Sequence, residues 1–421
     1  MNFNQTVVIT GIGVVSPIGI GVDAFWNSLA NGISGVRVRP EFIGTEIPIR
    51  IAAQVQGFDP KLFVQPRKAI KIMCNPIQFG CAAAMMACEQ AQMSDGRTAP
   101  DRIGTLFGTE TFYADPSEVA DVFRHCTIDE DYQHDRWGEF AMRKIQPLWM
   151  LKYLPNMAAS HVSIALDARG HSNSICQGEA SGLIALIEAA TVIQRGVCDV
   201  VIAGGTGSVA ELTSMLYRGN NLSKGFNECP ERASRPFDLL RDGIVAGEGA
   251  GAIVLESEAH AAARGATPLA RISGWSRMFG NWERPDFSTS ITNSFRSALA
   301  DAKMQAFQIG SINAEASGSI AGDFAEAQAI KQVFGETPVV ANKGNFGNLG
   351  PGTSTIETIA GILSLQHGQL PPTLNRDHPD PACPVRIFDK VTQLNGTDGN
   401  AFLKSSISAT GQIATVIFSS I

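Results

Sequence analysis

Residues 170–183, GHSNSICQGEASGL, place a carboxylate where many acyl-transfer enzymes hold a nucleophile. A β-leaning run (172–176) leads into a small-residue turn (177–182). An apolar pattern of helical period then begins at Leu183, Ile184, Leu186, Ile187 and Ala190. A strand that turns sharply into a helix presents one side chain to the helix N-terminus, where free N–H groups and the macrodipole favour an anion. Here that side chain is Glu179. Attack by a carboxylate on a thioester gives a mixed anhydride, which water cleaves readily, so Glu179 is a poor store for an acyl group.

Other candidate motifs fall short of a mechanism. Gly11-Ile12-Gly13-Val14-Val15-Ser16 follows a strand but lacks the third glycine of a dinucleotide turn, and Pro17-Ile18-Gly19 disturbs the helix start that a phosphate needs. Gly204-Gly205-Thr206-Gly207 is a similar near miss. The glycine-rich run 344–352 lacks the Lys-Ser/Thr ending of a phosphate loop, and in 178–182 Ser181 sits one place too late for a nucleophile elbow. The eight cysteines show no zinc-ligand spacing with His. Cys74, Cys81 and Cys88 repeat every seven residues on one helix face, as packed thiols do. Cys176 lies three residues before the turn, where nothing lowers its pKa. His161 and His171 read as structural or interface residues.

The elements that must position Glu179 alternate along the chain. The strand at 6–10 is followed by the glycine loop GIGVVSPIGIG, the helical pattern at 68–93 by the strand at 102–108, and the strand at 200–205 by a Pro/Gly-rich loop at 235–251. In the second part, a helix at 288–301, a strand at 312–316, a helix at 324–334, a strand at 338–341 and a helix at 355–367 precede the last strands at 384–388 and 413–418. Strand, glycine loop and helix recurring in both parts argue for an α/β fold duplicated at the half-chain scale, with a seam near 256–267.

At 421 residues the chain exceeds one typical domain. Its 44% hydrophobic and 17% charged content suggests extensive buried surface, as in an obligate subunit interface. A net charge of −7 argues against a nucleic-acid partner. The start MNFNQTVVITGIG lacks a basic region followed by an apolar one, and no apolar run reaches about 18 residues, so no membrane association and a cytoplasmic location are expected. No metal is expected.

The segments VVITGIGVVSPIG, the strand–turn–helix near 175, VVIAGG, RPFDLLRDGIVAGEGAGAIVLE, NAEASGSIAGDFAEAQAI, NKGNFGNLGPGTSTIET and LPPTLN, in this order over essentially the whole chain, resemble the β-ketoacyl synthases. The resemblance implies a thiolase fold, five-layered αβαβα from two duplicated halves with mainly parallel central sheets. The halves would be residues 1–256, with interface insertions, and 257–421. Elongating members of the family use a Cys-His-His site. The Cys position falls on Glu179, the first His on Glu315 in NAEAS, and the second His on Asn348, five residues after Lys343. Lys343 and Glu357 stand as the family has them. The C-terminal loop reads Ser408-Ala409-Thr410-Gly411 and has lost the aromatic of the family's glycine-rich loop.

With all three positions changed, catalysis is expected to be lost. Ionised Glu315 accepts where an imidazole should donate, and two anions beside a developing enolate oppose the transition state by several kcal/mol. Two close carboxylates should leave one protonated or be held by Lys343. Glu179, Glu315, Asn348 and Lys343 are therefore expected to form a polar plug filling the former pocket. The pattern looks like a chain length factor (KSβ) of a type II polyketide synthase, although such subunits typically carry Gln at the Glu179 position. That resemblance implies a subunit inactive alone, a heterodimer with an active ketosynthase, and malonyl units delivered by an acyl carrier protein. It implies no cofactor beyond the phosphopantetheine on that carrier. It also implies pairing across the dimer axis through Asn173, Ser174, Ile175 and Cys176, and a tunnel gate at Thr109, Glu110, Thr111, Phe112 and Tyr113. Two alternatives remain open: a decarboxylating starter-type ketosynthase acting on the malonyl carrier protein, and a thiolase-fold enzyme using Glu179 as a base.

Overall fold

The structure is a computed structural model and describes residues 5–93, 96–281, 284, 287–394 and 400–421. Ten strands carry the architecture: β1 (Val7–Ser16), β2 (Ile103–Gly108), β3 (Ser172–Ile175), β4 (Val200–Ser208) and β5 (Glu248–Ser257), then β6 (Ala270–Phe279), β7 (Ser311–Asn313), β8 (Pro338–Val340), β9 (Ala401–Ile407) and β10 (Gln412–Ser419). The first five lie in the order β3-β2-β4-β5-β1 and the second five in the order β8-β7-β9-β10-β6, so the same topology occurs twice. The two sets meet where β1 pairs with β6, Val7 opposite Ile272 and Ile9 opposite Ala270, which makes one sheet of twelve strands.

The sheet is mixed rather than mainly parallel. β2, β3 and β4 run parallel, as do β7, β8 and β9, but β5 and β10 each run against both of their neighbours. The reason is clearest at β9 and β10, which are joined by residues 408–411. A connection that short can only return the chain antiparallel, whereas parallel neighbours need a long crossover. Gly411, at φ +96°, makes the turn.

Five helices cover and separate these strands. Helix α1 (Asn75–Gln90) packs on β1, β4 and β5. Helices α2 (Ser181–Gln194) and α6 (Pro351–His367) pack on each other and on strands of both sets. Helix α4 (Phe287–Ala302) packs on β6, β10 and α5 (Ile320–Phe334). A further short helix, α3 (Leu212–Arg218), follows β4. Helices α2 and α6 are buried on nearly all faces, which is the pattern of a helix enclosed between layers.

Glycines permit this close packing. The stretch expected as a glycine loop after residue 10 is instead the second half of β1. There a Cβ on Gly11 would meet the Ala87 carbonyl at 2.1 Å, and one on Gly13 the Ala83 carbonyl at 2.1 Å. These glycines let α1 lie directly on the strand, so they serve helix–sheet contact and not a phosphate. At the centre, a Cβ on Gly182 would come within 2.5 Å of the Pro351 carbonyl oxygen and 2.6 Å of Thr355 Oγ1. Replacing Gly182 with Ala is therefore expected to push α2 away from α6 and to destabilise the chain by about 1–3 kcal/mol, read as a lower urea midpoint at unchanged m-value.

Candidate functional site

The segments carrying the candidate residues leave the sheet at neighbouring strand ends. Residues 109–113 follow β2, Glu179 follows β3, Glu315 follows β7, Lys343 follows β8 and the loop 408–411 follows β9. In parallel α/β sheets such carboxyl ends are where side chains converge on a site.

Glu179 sits in a turn that its own neighbours tie. Gly178 takes φ +62°, and Ser181 Oγ accepts from the Gln177 N–H (2.7 Å) while donating to the Gly178 carbonyl (2.7 Å). The buried carboxylate is aimed at Arg218, the last residue of α3: Nη1 donates to Glu179 Oε1 at 2.8 Å and Nη2 to Glu110 Oε2 at 3.0 Å. One guanidinium thus clamps two carboxylates. Burial pushes the Glu110 carboxyl up to about 7 and the Glu179 charge adds to this, although Arg218 opposes it. The clamp holds one surplus negative charge, and Glu110, its carboxyl raised by burial, takes a proton more readily than an ordinary carboxyl.

Glu315 belongs to a second, separate cluster. Lys343 Nζ lies 3.0 Å from both Glu315 Oε1 and Glu357 Oε1, and Lys404 Nζ lies 2.6 Å from Glu357 Oε2. Lys343 also donates to the Glu315 backbone carbonyl. All four side chains are buried, two cations against two anions. Burial alone would raise the Glu315 carboxyl, but Lys343 and Lys404 outweigh it and hold the group below its usual range. Beneath this cluster Glu326 accepts the N–H groups of Glu315 and Ala316 at 2.8 Å each, and burial raises its carboxyl to about 7.

The end of β9 and the loop after it face both clusters. Ser406 Oγ donates to Glu315 Oε2 (2.9 Å), the Ile407 N–H donates to the same oxygen (3.2 Å), and the Ala409 N–H points at Glu179 Oε2 (3.4 Å). Backbone donors that could stabilise a developing oxyanion are thus directed at two resident carboxylates. Asn348 lines the same space, with its Oδ1 accepting from the Gly350 N–H at 2.8 Å.

The single plug expected of Glu179, Glu315, Asn348 and Lys343 is not what these contacts build. Lys343 binds Glu315 and Glu357 but not Glu179, and a cavity of about 350 Å³ remains in front of Glu179, Arg218, Glu315 and Asn348. A guanidinium brought in by α3 neutralises Glu179, so Lys343 is not needed there. No motif marks Arg218. Lys404 does leave a signal, as a lysine inside the apolar strand sequence AFLKSSI, because a buried ammonium requires a carboxylate partner.

The stretch 109–113 divides. Thr109 is fully buried, with Oγ1 3.4 Å from Cys176 Sγ, and Glu110 belongs to the Arg218 clamp. Thr111, Phe112 and Tyr113 line a second cavity, of about 330 Å³. Asn173, Ser174 and Ile175 lie in β3, the outermost strand on its side of the sheet, and Cys176 follows directly; Asn173 and Cys176 are exposed. Among the described residues no helix is long and apolar enough to cross a membrane.

Comparison with known proteins agrees across the chain's length. The family model described as the beta-ketoacyl synthase N-terminal domain matches residues 4–261, and that of the C-terminal domain matches residues 279–377. A 3-oxoacyl-[acyl-carrier-protein] synthase 2 of Coxiella burnetii is 33% identical over 90% of each chain. Two solved structures are similar over 99% of both chains, each with a TM-score of 0.85. One, at 27% identity, is described as a type II PKS acyl-carrier protein in complex with its ketosynthase bound to the hexaketide. The other, at 26% identity, is described as the ishigamide ketosynthase/chain length factor.

Two measurements follow from the clamp. The folded-state pKa of Glu110, about 7, lies above the ordinary 4.5, so the folded chain binds the extra proton and this contribution to stability is lost as pH rises through 7. Glu110→Gln should therefore flatten part of the decline in urea-unfolding free energy between about pH 5 and pH 8, leaving the parts due to Glu326, Glu248 and Asp323, whose carboxyls burial also raises. Arg218→Met strands two carboxylates and should destabilise by about 3–5 kcal/mol at pH 8, with partial recovery near pH 5 as Glu110 protonates.

Proposed function

Because the chain belongs to the beta-ketoacyl synthase family, while its three catalytic positions hold Glu179, Glu315 and Asn348, we propose that it is a non-catalytic chain length factor that pairs with an active ketosynthase during condensation of malonyl units on a carrier protein. The observation that carries this reading is the commitment of Glu179. Its carboxylate is buried, clamped by Arg218 at 2.8 Å and directed at the Ala409 N–H. A nucleophile must be free to attack and must have an oxyanion donor beside it. Here the attacking position and the donor bind each other. Nor does any imidazole stand at the two remaining positions.

The partnership is supported by the surface around β3. This edge strand leaves an unpaired row of backbone groups, which proteins normally cover. Met142, Met150 and Ile164, from the segments between β2 and β3, are exposed apolar side chains of the kind buried at subunit contacts. A solved relative described as a ketosynthase/chain length factor pair, and another described with its acyl-carrier protein, are consistent with a ketosynthase and a carrier protein as the partners. On this reading the partner holds the growing chain on its own cysteine, and residues 111–113 of this chain close part of the tunnel.

Co-production with a Cys-His-His ketosynthase from the same gene cluster is expected to yield a stable heterodimer on size exclusion, whereas the chain alone neither condenses nor releases CO₂ from malonyl carrier protein. CO₂ release by the isolated chain would favour a decarboxylase instead. Glu179→Cys, assayed with a partner whose own cysteine is replaced by Ala, should not restore condensation, because Glu315 and Asn348 cannot supply the imidazole roles. Robust condensation by that pair would overturn the proposal.

A further inference from the structure

We propose that residues 211–221, which pass between the two cavities, form a latch fastened by Arg218, and that this latch is held at acid pH and released as pH rises.

The segment is tied to the body of the molecule at each end. Before it, the N–H groups of Val209 and Ala210 donate to the Gly247 carbonyl at 2.9 and 3.2 Å, and Arg39 donates to the Ala210 carbonyl. After it, the Ser223 N–H donates to the Ile244 carbonyl at 2.8 Å, and the Ile244 N–H to the Asn221 carbonyl at 2.9 Å. Between these ties α3 turns Ser214 and Met215 inward and leaves Leu216 and Tyr217 exposed. Arg218 fastens the second half through its bonds to Glu179 and Glu110, beside the Tyr217 ring at 5.9 Å from that of Tyr113. Gly219 follows at φ +44°, a natural hinge position. The segment also separates two spaces. Glu211 at its start lines the cavity beside residues 111–113, whereas Arg218, Asn220 and Asn221 at its end line the cavity at Glu179, and the two cavities share no lining residue.

The direction of the pH effect follows from what surrounds Glu110. Arg218 faces it from α3, Glu179 from the turn after β3, and the Tyr113 phenol from its own segment. The strand β4 offers it only backbone, the Ser208 N–H, and Gly207 and Gly350 approach so closely that a Cβ on either would lie 3.0 or 2.6 Å from Glu110 Oε1. One guanidinium therefore answers two carboxylates, and while the latch is closed Glu110 has little water to share its charge with. In that state its carboxyl stands at about 7, against the ordinary 4.5 it regains once Arg218 swings away and water reaches it. The closed form thus binds the proton more tightly. Raising the pH through the interval between these two values favours release, and above it both forms are ionised and the effect is complete.

Arg218 itself supplies the test, because trypsin cuts after an arginine only when the surrounding chain leaves the surface, and the rate then follows the population of the open form. The full chain is treated with trypsin at pH 6 and pH 8, and the fragments ending at Arg218 and beginning at Gly219 are counted by mass spectrometry. Each rate is divided by that of a free peptide of residues 213–222 at the same pH, which removes the protease's own pH dependence. The normalised cut after Arg218 should be about tenfold faster at pH 8 than at pH 6. Cleavage after Arg271, within β6, requires the sheet to open and should not rise in parallel. Glu110→Gln, which cannot ionise, should give the same normalised rate after Arg218 at both pH values. Equal rates at the two pH values in the unmodified chain would overturn the latch. So would a parallel rise after Arg271, which would mark general unfolding, or a tenfold rise that persists in Glu110→Gln.

Discussion

A carboxylate taken out of water at the end of a β-strand needs a cation or a proton, and that requirement orders everything around Glu179 and Glu315. Leaving a buried carboxylate unpaired would take several kcal/mol from a stability that is rarely more than about 15 kcal/mol. The chain meets the requirement twice, by different means. Arg218 uses the fork of its guanidinium to reach Glu179 and Glu110 together, and Glu110 carries a proton more readily than an ordinary carboxyl. Lys343 and Lys404 alternate with Glu315 and Glu357, so that second cluster is neutral without any proton.

These solutions shape what the site can do. Condensation of thioesters depends on a free nucleophile and on hydrogen-bond donors aimed at oxygen atoms that become negative. Here Glu315 and Glu179 draw the donors at the end of β9 and in the loop after it to themselves. The architecture of a condensing enzyme persists, including the close contact of α2 with α6 at Gly182, because the fold depends on that packing whether or not the chemistry survives. The cavity beside Glu179 persists for the same reason: the clamp and the lysine cluster hold its walls apart rather than filling it.

The two cavities divide the molecule's surface chemistry. One faces Glu179, Arg218, Glu315 and Asn348; the other is lined by residues 111–113 together with Glu118, Lys152 and Tyr153. Between them runs a short segment, residues 109–113, whose side chains point to different places. Thr109 is buried beside Cys176, Glu110 is in the clamp, and the next three residues face outward into the second cavity.

Much of the fold was legible from alternating strands, glycines and helices, and the strand–turn–helix at Glu179 lies where residues 172–183 place it. The mixed character of the sheet was not legible, since direction depends on which strands become neighbours and not on their own composition. Nor did the glycines of β1 declare their purpose until α1 was seen lying on them. The sequence by itself determined that carboxylates and an amide stand at positions 179, 315 and 348, because residue identity needs no neighbours. Only the tertiary structure decided which cation answers each carboxylate. Arg218 is 39 positions from Glu179 and 108 from Glu110, and Lys404, in β9, pairs with Glu357 in α6. Ion pairs between residues so far apart in sequence are set by the convergence of strand ends, and no local pattern records them.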